Sequence, residues 1–392
     1  MKKLNLFMGG EMSKILDIIA EETNGKSFKS YKYSYEGLEI PTLSYDDHEI
    51  TWEKYGETEI IEKSKNLKEF ADKILKQNPL FSYFLDGSRR TFKVDDISYK
   101  NEVYPIVAGQ ISIACCKREN KRMTAHDSQK KVVIALPQIA ASQNSWNKEV
   151  FLNNLCKKVN EDIYVKKSNI VITDIIKYSD KKDNIENLEN RAIAVIQDLM
   201  IQEEIKMVTK LVKSKKINRD NYLLKDGSLE YRVDYISDEI EKRKFQSNFN
   251  YVIGVSKSFN PENCKDKKGK NNSNAIANLP LYHRTPVNLY TSLRLPGMKY
   301  AVWYLRIREK KFTSNAFDGI LKIEKILTTG GEIEEVLLTE DVDYITANII
   351  NERNPVCYGN DLRWANHLYP IYITESYAKS KYLSNTMFLN IF

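Results

Sequence analysis

Two tripeptides in this sequence place a carboxylate where chemistry could use it. Asp86-Gly87-Ser88 follows the apolar and aromatic run Leu80–Leu85, and Asp226-Gly227-Ser228 follows Tyr222–Leu224. A strand end presents a carboxylate at the rim of a sheet, and glycine lets the chain turn away without covering it. Two such carboxylates on neighbouring strands can share a divalent cation. Mg²⁺ takes oxygen ligands, commonly one or two carboxylates, and completes its shell with water and substrate phosphate. Asp-Gly is also an ordinary turn pair, and that plainer alternative stands at both positions.

A long helix offers a third carboxylate. From Asn187 to Lys213 there is no Gly or Pro, and Ile193, Ile196, Met200, Met207 and Leu211 recur at helical spacing. At about 100° per residue, Glu204 lies about 40° from Met200 and Glu203 about 60° away on the other side. A carboxylate on a buried stripe is costly unless it is paired or bound to metal. Either glutamate fits, with Glu204 nearer the centre of the stripe; a partly exposed helix edge is the alternative.

Other chemistries lack their residues. The sequence has no GxxxxGK[ST] or GxGxxG phosphate loop, no HExxH, no GxSxG and no zinc-finger spacing. Its four histidines (His48, His126, His283, His367) are scattered, which argues against a His-rich metal site. What is left is chemistry run by carboxylates.

Composition sets the frame. The 392 residues carry 60 Lys+Arg against 53 Asp+Glu, a surplus of only +7, which excludes a simple polycation. With 24 Tyr, 14 Phe and 4 Trp the chain has far too many aromatics for a solvated coil. No apolar run nears the roughly 18 to 20 residues of a membrane span, and no signal peptide is expected. Five cysteines (Cys115, Cys116, Cys156, Cys264, Cys357) form no CxxC pair, so a reducing, cytoplasmic setting is expected.

The elements that must position these acids alternate in type, which predicts a mixed α/β fold. Helices are expected over Met12–Glu22 and Glu57–Gln77, then a boundary at Asn78-Pro79. Leu80–Leu85 is expected to be a strand closed by an abrupt turn. Tyr104–Cys116 and Lys131–Leu136 follow as strands joined by a long polar loop over 117–130. Further strands are expected at Ser168–Ile176, Tyr251–Ser256 and Tyr300–Ile307, a short helix at Asp238–Phe245, and a Lys/Asn-rich loop over 260–278. Tyr369-Pro370 opens a last helix running to about Lys381.

The order of these pieces is itself informative. FLDGSRR (84–90), MIQEE (200–204), YLLKDGSL (222–229), YVIGVSKSF (251–259) and NHLYPIYITESYAKS (366–380) follow one another, and together they resemble the NurA nuclease family. The resemblance spans about residues 80–385. It implies an RNase H-like α/β fold, a mixed sheet flanked by helices, with residues 1–79 as a helical N-terminal region for dimerisation or partner binding. Residues 80–392 would be the nuclease domain, with an insertion at about 117–185.

The resemblance also implies a Mn²⁺- or Mg²⁺-dependent nuclease acting on single- and double-stranded DNA. Such a protein works as a homodimer with a HerA-type hexameric ATPase, in DNA end processing and repair or in anti-phage defence. The alternative is a catalytically weak DNA-binding or assembly subunit of such a complex. Asp86, Glu204 and Asp226 resemble the metal-binding acids. Lys257 matches the lysine after the Gly-Val-Ser strand, where it would neutralise charge on the reacting phosphate, and Tyr369 matches the tyrosine before proline. Where family members place a histidine in the last helix, this chain reads Glu375-Ser376-Tyr377, which leaves Tyr377, His367 and Glu375 as substitutes. Lys206, Lys210 and Lys213, following Glu204, and Lys265, Lys267 and Lys268, following Lys257, are expected to contact DNA phosphates. Lys117, Arg118, Lys121 and Arg122 could do the same from the connection after the Tyr104 strand.

Overall fold

The structure is a computed structural model of the whole chain. It describes all residues except 1–14, 36–49, 142–146, 182–186, 232–235, 237, 293–294, 296, 314, 329, 331, 333–335, 353 and 355–363. His48, Cys357 and the start of the helix expected at Met12 lie outside the described residues.

Ten strands carry one continuous sheet: β1 (Ile50–Tyr55), β2 (Phe81–Tyr99), β3 (Glu102–Glu119), β4 (Arg122–Pro137), β5 (Asp174–Tyr178), β6 (Tyr222–Asp226), β7 (Val252–Ser256), β8 (Asn288–Ser292), β9 (Lys299–Arg306) and β10 (Ile320–Ile326). Their spatial order is β1-β8-β9-β10-β7-β6-β2-β3-β4-β5, with short strands added along it. The β2–β6 and β6–β7 pairs are parallel, whereas β2–β3, β3–β4 and β7–β10 are antiparallel. The fold is therefore mixed α/β, with an antiparallel meander running into two strands parallel to its first.

The helices that frame the sheet are α1 (Ile15–Glu22), α2 (Lys68–Ile74), α3 (Lys148–Glu161), α4 (Leu188–Lys213), α5 (Thr339–Ile350) and α6 (Tyr369–Lys379); a further helix spans Glu239–Asn248, as expected from the sequence, besides shorter segments. Helix α4 matches the expected stripe: Asn187 caps it by accepting the Glu189 N–H at 3.1 Å, and Ile193, Ile196, Met200, Met207 and Leu211 are buried. They pack on Leu85, Ile111, Ile113 and Leu223 from one face of the sheet. The other face carries Phe84, Leu224, Ile253, Val255 and Trp303, covered by Val342 and Ile345 of α5 and Ile371 of α6. A third apolar cluster lies beneath α1 and α3. Among the described residues no helix is long and apolar enough to cross a membrane.

Several elements differ from expectation, each for a visible reason. Residues 57–67 are not helical; only Lys68–Ile74 is. Glu57 is fully buried, gripping Arg284 at 2.6 and 3.0 Å and accepting the Val287 N–H at 2.8 Å, which pins this stretch beside the sheet. The chain does not turn at Asp86-Gly87-Ser88, because β2 continues through it, paired with β3 as far as Tyr99. The expected loop over 117–130 is strand instead. Asn120 and Lys121, both with positive φ (49° and 62°), close a tight hairpin whose hand matches the strands' twist. The strand expected over Ser168–Ile176 begins only at Asp174.

Candidate active site

Strand alternation decides which acids meet. Successive residues point to opposite faces of a sheet. Phe84 and Leu224 belong to the apolar layer beneath α5 and α6, so Asp86 and Asp226, two residues on, emerge on that face. The register Leu85↔Lys225 sets the two aspartates side by side, and Val255↔Asp226 brings the end of β7 alongside. Lys257, two residues past Val255, emerges on the same face. Helix α6 crosses above and adds Glu375.

These four side chains converge. Oxygens of Asp86, Asp226 and Glu375 lie within 4.8 Å of one another. The Lys257 ammonium donates to Glu375 at 2.9 Å and lies 2.8 Å from Asp226. His367, 2% exposed, places Nδ1 3.4 Å from Lys257 Nζ and 3.9 Å from Glu375. Asn366 fixes the lysine's backbone, donating to the Lys257 carbonyl while accepting the Gly319 N–H.

The electrostatics follow from crowding. Burial, reinforced by the neighbouring Asp226 charge, pushes the Asp86 carboxyl well above the usual carboxylate range, against the pull of Lys257. Burial would also raise Glu375, but Lys257 and Lys379 overcome it and hold that carboxyl down at about 2. For Lys257, burial works against the charge, yet Asp226, Glu375 and Asp86 together keep its pKa above the ordinary value. Two ammoniums, Lys257 and Lys379, thus face three carboxylates, an arrangement left short of positive charge.

The structure separates Glu204 from this cluster. Its carboxylate lies on the opposite face, 3.1 Å from Lys225 Nζ and packed against the backbone of Gly87. Burial raises its pKa, opposed by Lys225. Glu203 pairs with Lys206 at 2.7 Å and Lys131 at 3.0 Å. Tyr369, 37% exposed, lines a cavity of about 620 Å³ with Arg118, Lys121 and Arg122, to which none of the clustered carboxylates contributes. The Tyr377 hydroxyl lies 3.3 Å from Ser128 on β4, away from the cluster.

The expected DNA-contacting lysines fall in two places. Lys206, Lys210 and Lys213 line a groove of about 790 Å³ on the outer face of α4. Lys265, Lys267 and Lys268 sit in a tight loop organised by Asp266, beside β8, with Lys267 paired to Glu62 at 2.8 Å. Lys225 carries a signal of its own in the sequence, since a lysine inside a buried strand demands an acidic partner. Glu375 stands in the sequence only as a substitute for a histidine.

The fold and the site together describe a mixed α/β protein with a three-carboxylate cluster where two central strands meet helix α6. No protein-family model and no curated protein sequence matches the chain. Its fold is similar to the crystal structure of the NurA nuclease from Sulfolobus solfataricus, with a TM-score of 0.39 and 11% identity over 79% of this chain and 87% of that one. At that distance the likeness carries no chemistry, which must come from the site's own groups.

Proposed function

We propose that this protein is a metal-dependent nuclease that hydrolyses DNA phosphodiester bonds. The observation that carries this is the convergence of Asp86, Asp226 and Glu375 within 4.8 Å, half-buried or deeper, with only two lysines, Lys257 and Lys379, to balance three carboxylates. Three hard oxygen donors short of positive charge fit Mg²⁺ or Mn²⁺. Asp86, Asp226 and Glu375 would hold the ion, with Glu204 paired to Lys225 instead. Such an ion supplies Lewis-acid stabilisation of charge on phosphoryl oxygen.

The chain's own groups supply the rest. Lys257 orients Asp226 and Glu375 and brings positive charge to where the reacting phosphate would gain negative charge. His367 and Asn366 keep the lysine in place. The sequence resemblance supports DNA, single- and double-stranded, as substrate, and a homodimer docked on a HerA-type hexameric ATPase in end processing or defence. With no phosphate-loop motif in the chain, ATP dependence would enter through that partner.

The test is hydrolysis of linear single- and double-stranded DNA with Mn²⁺, comparing wild type with Asp86→Asn and Asp226→Asn. Losing a ligand of this kind removes several kcal/mol of transition-state stabilisation, so a drop of about a thousandfold or more is expected. If the wild type leaves both substrates intact, alone and with its ATPase, the enzyme assignment is lost and the non-catalytic DNA-binding subunit takes its place.

A further inference from the structure

We propose that Glu204 and Lys225 form a brace behind the candidate site, fixing the backbone of both aspartates from the opposite face of the sheet. The proposal rests on the metal-site assignment above and gives Glu204 a positioning role in place of a ligand's.

The contacts form an unbroken path. The Glu204 side chain packs directly on the backbone of Gly87, next to Asp86, and fills the space a Cβ there would need. Glu204 Oε2 lies 3.1 Å from Lys225 Nζ, and both side chains are buried, at 3% and 5% exposure. Lys225 Nζ also donates to the Asp226 carbonyl at 2.6 Å and lies 3.4 Å from the Ser228 carbonyl. An ammonium has three donors, and these three acceptors use them. The Tyr231 ring, 5.7 Å from Nζ, closes one side.

The path therefore runs from the main chain beside Asp86, through a helix side chain, to the main chain of Asp226. Parallel pairing of β2 with β6 reaches only as far as Leu85↔Lys225, so the ladder stops one residue short of both aspartates. Beyond that point their carboxylates would repel one another across the rim of the sheet. The brace takes over where the ladder ends. Glycine at 87 is part of it, because a Cβ there would collide with the Glu204 carboxylate.

Lys225→Met tests the brace, because the two roles for Glu204 predict opposite results. A brace predicts that Mn²⁺ affinity, measured by titration calorimetry, falls about tenfold or more, as for groups that orient metal ligands. If Glu204 is itself a ligand, removing Lys225 frees it, and an affinity unchanged or tighter than wild type overturns the brace. A second readout needs no metal. In the metal-free protein the brace predicts that amide-exchange protection falls about tenfold at both 86–88 and 226–228. Loss at 226–228 alone, with 86–88 untouched, overturns it. Should the wild type bind no Mn²⁺, the metal-site assignment fails while exchange still decides the brace. Should Lys225→Met fail to fold, the neutral pair Glu204→Gln/Lys225→Met, in which no charge is stranded, repeats the exchange measurement against the same outcomes.

Discussion

The same tripeptide, Asp-Gly-Ser, occurs twice in this protein and owes its glycine to two different constraints. At 226–228 it ends a strand: Gly227 has φ +82°, and Lys225 Nζ, at 3.5 Å, is the nearest atom a Cβ would meet. Glycine is needed there for its backbone, since left-handed φ costs other residues roughly 1–2 kcal/mol. At 86–88 the strand runs straight through, and Gly87 is needed for its missing side chain, because Glu204 occupies that space. One sequence signal thus conceals a turn in one place and a helix-to-strand contact in the other. Both put their aspartate on the same face.

Substitution at the two glycines tests that difference and should give the largest effects. Gly87→Ala forces the Glu204 carboxylate aside and should cost about 1–3 kcal/mol, as overpacking does. Gly227→Ala meets only an ordinary contact with Lys225 Nζ and should cost about 1–2 kcal/mol, chiefly from its dihedral. Asparagine separates them, since it tolerates left-handed backbone but is larger than alanine. Gly227→Asn should melt above Gly227→Ala, whereas Gly87→Asn should melt below Gly87→Ala. The same rank order at both positions would show that the two glycines serve one purpose.

The acids that these glycines serve, with Glu375 opposite, should respond to pH in opposite senses. The native Asp86 carboxyl titrates well above its unfolded value of about 3.9. Between those two values the native state binds the extra proton, so Asp86 costs stability increasingly as pH rises through that window. Glu375, held down at about 2, does the reverse. Its contribution is present above the unfolded value of about 4.3 and is lost as pH falls towards 2. In the metal-free protein, Asp86→Asn should therefore raise the melting temperature at pH 7 and leave it little changed near pH 4. Glu375→Gln should lower it at pH 7. A fall for both variants at neutral pH would mean that Asp86 is balanced by its neighbours in a way the crowding denies.

Much of this arrangement is legible in the sequence, and the rest fails for definite reasons. Helix α4, strand β7 and the strand Lys299–Arg306 announce themselves through period and composition. Asp86, Asp226 and Lys257 come together because all three sit at the same phase of adjacent strands, which strand alternation alone predicts once the pairing is known. The β2–β3–β4 hairpins are longer than expected because polar residues beyond 117 continue a ladder that local propensity does not reveal. Glu375 is hidden because its meeting with Asp86 depends on where α6 crosses the sheet. The place of Glu204 on the buried stripe suggests a meeting with the aspartates. The stripe does face the sheet, but the face it meets carries Lys225 and Gly87, with the aspartates on the other side.

The smallest expected effect bears on the choice between the two adjacent glutamates, and so on what Gly87 accommodates. Glu203 and Glu204 are both buried and both paired with lysine, yet Glu203 is held by Lys131 and by Lys206, which is largely exposed. Burial would raise its pKa, but those two lysines bring it below the ordinary value, so the charge is well compensated. No contact of Glu203 reaches either Asp-Gly-Ser segment. Glu203→Gln leaves Lys131 paired with Asp174 and should leave Mn²⁺ affinity within about twofold of wild type, as expected for a site with no shared partner. Calorimetric titration of the two Gln variants side by side makes the comparison. A loss of affinity at Glu203 equal to that at Glu204 would mean that burial on α4, rather than contact with Gly87 and Lys225, sets the influence of this helix on the acids.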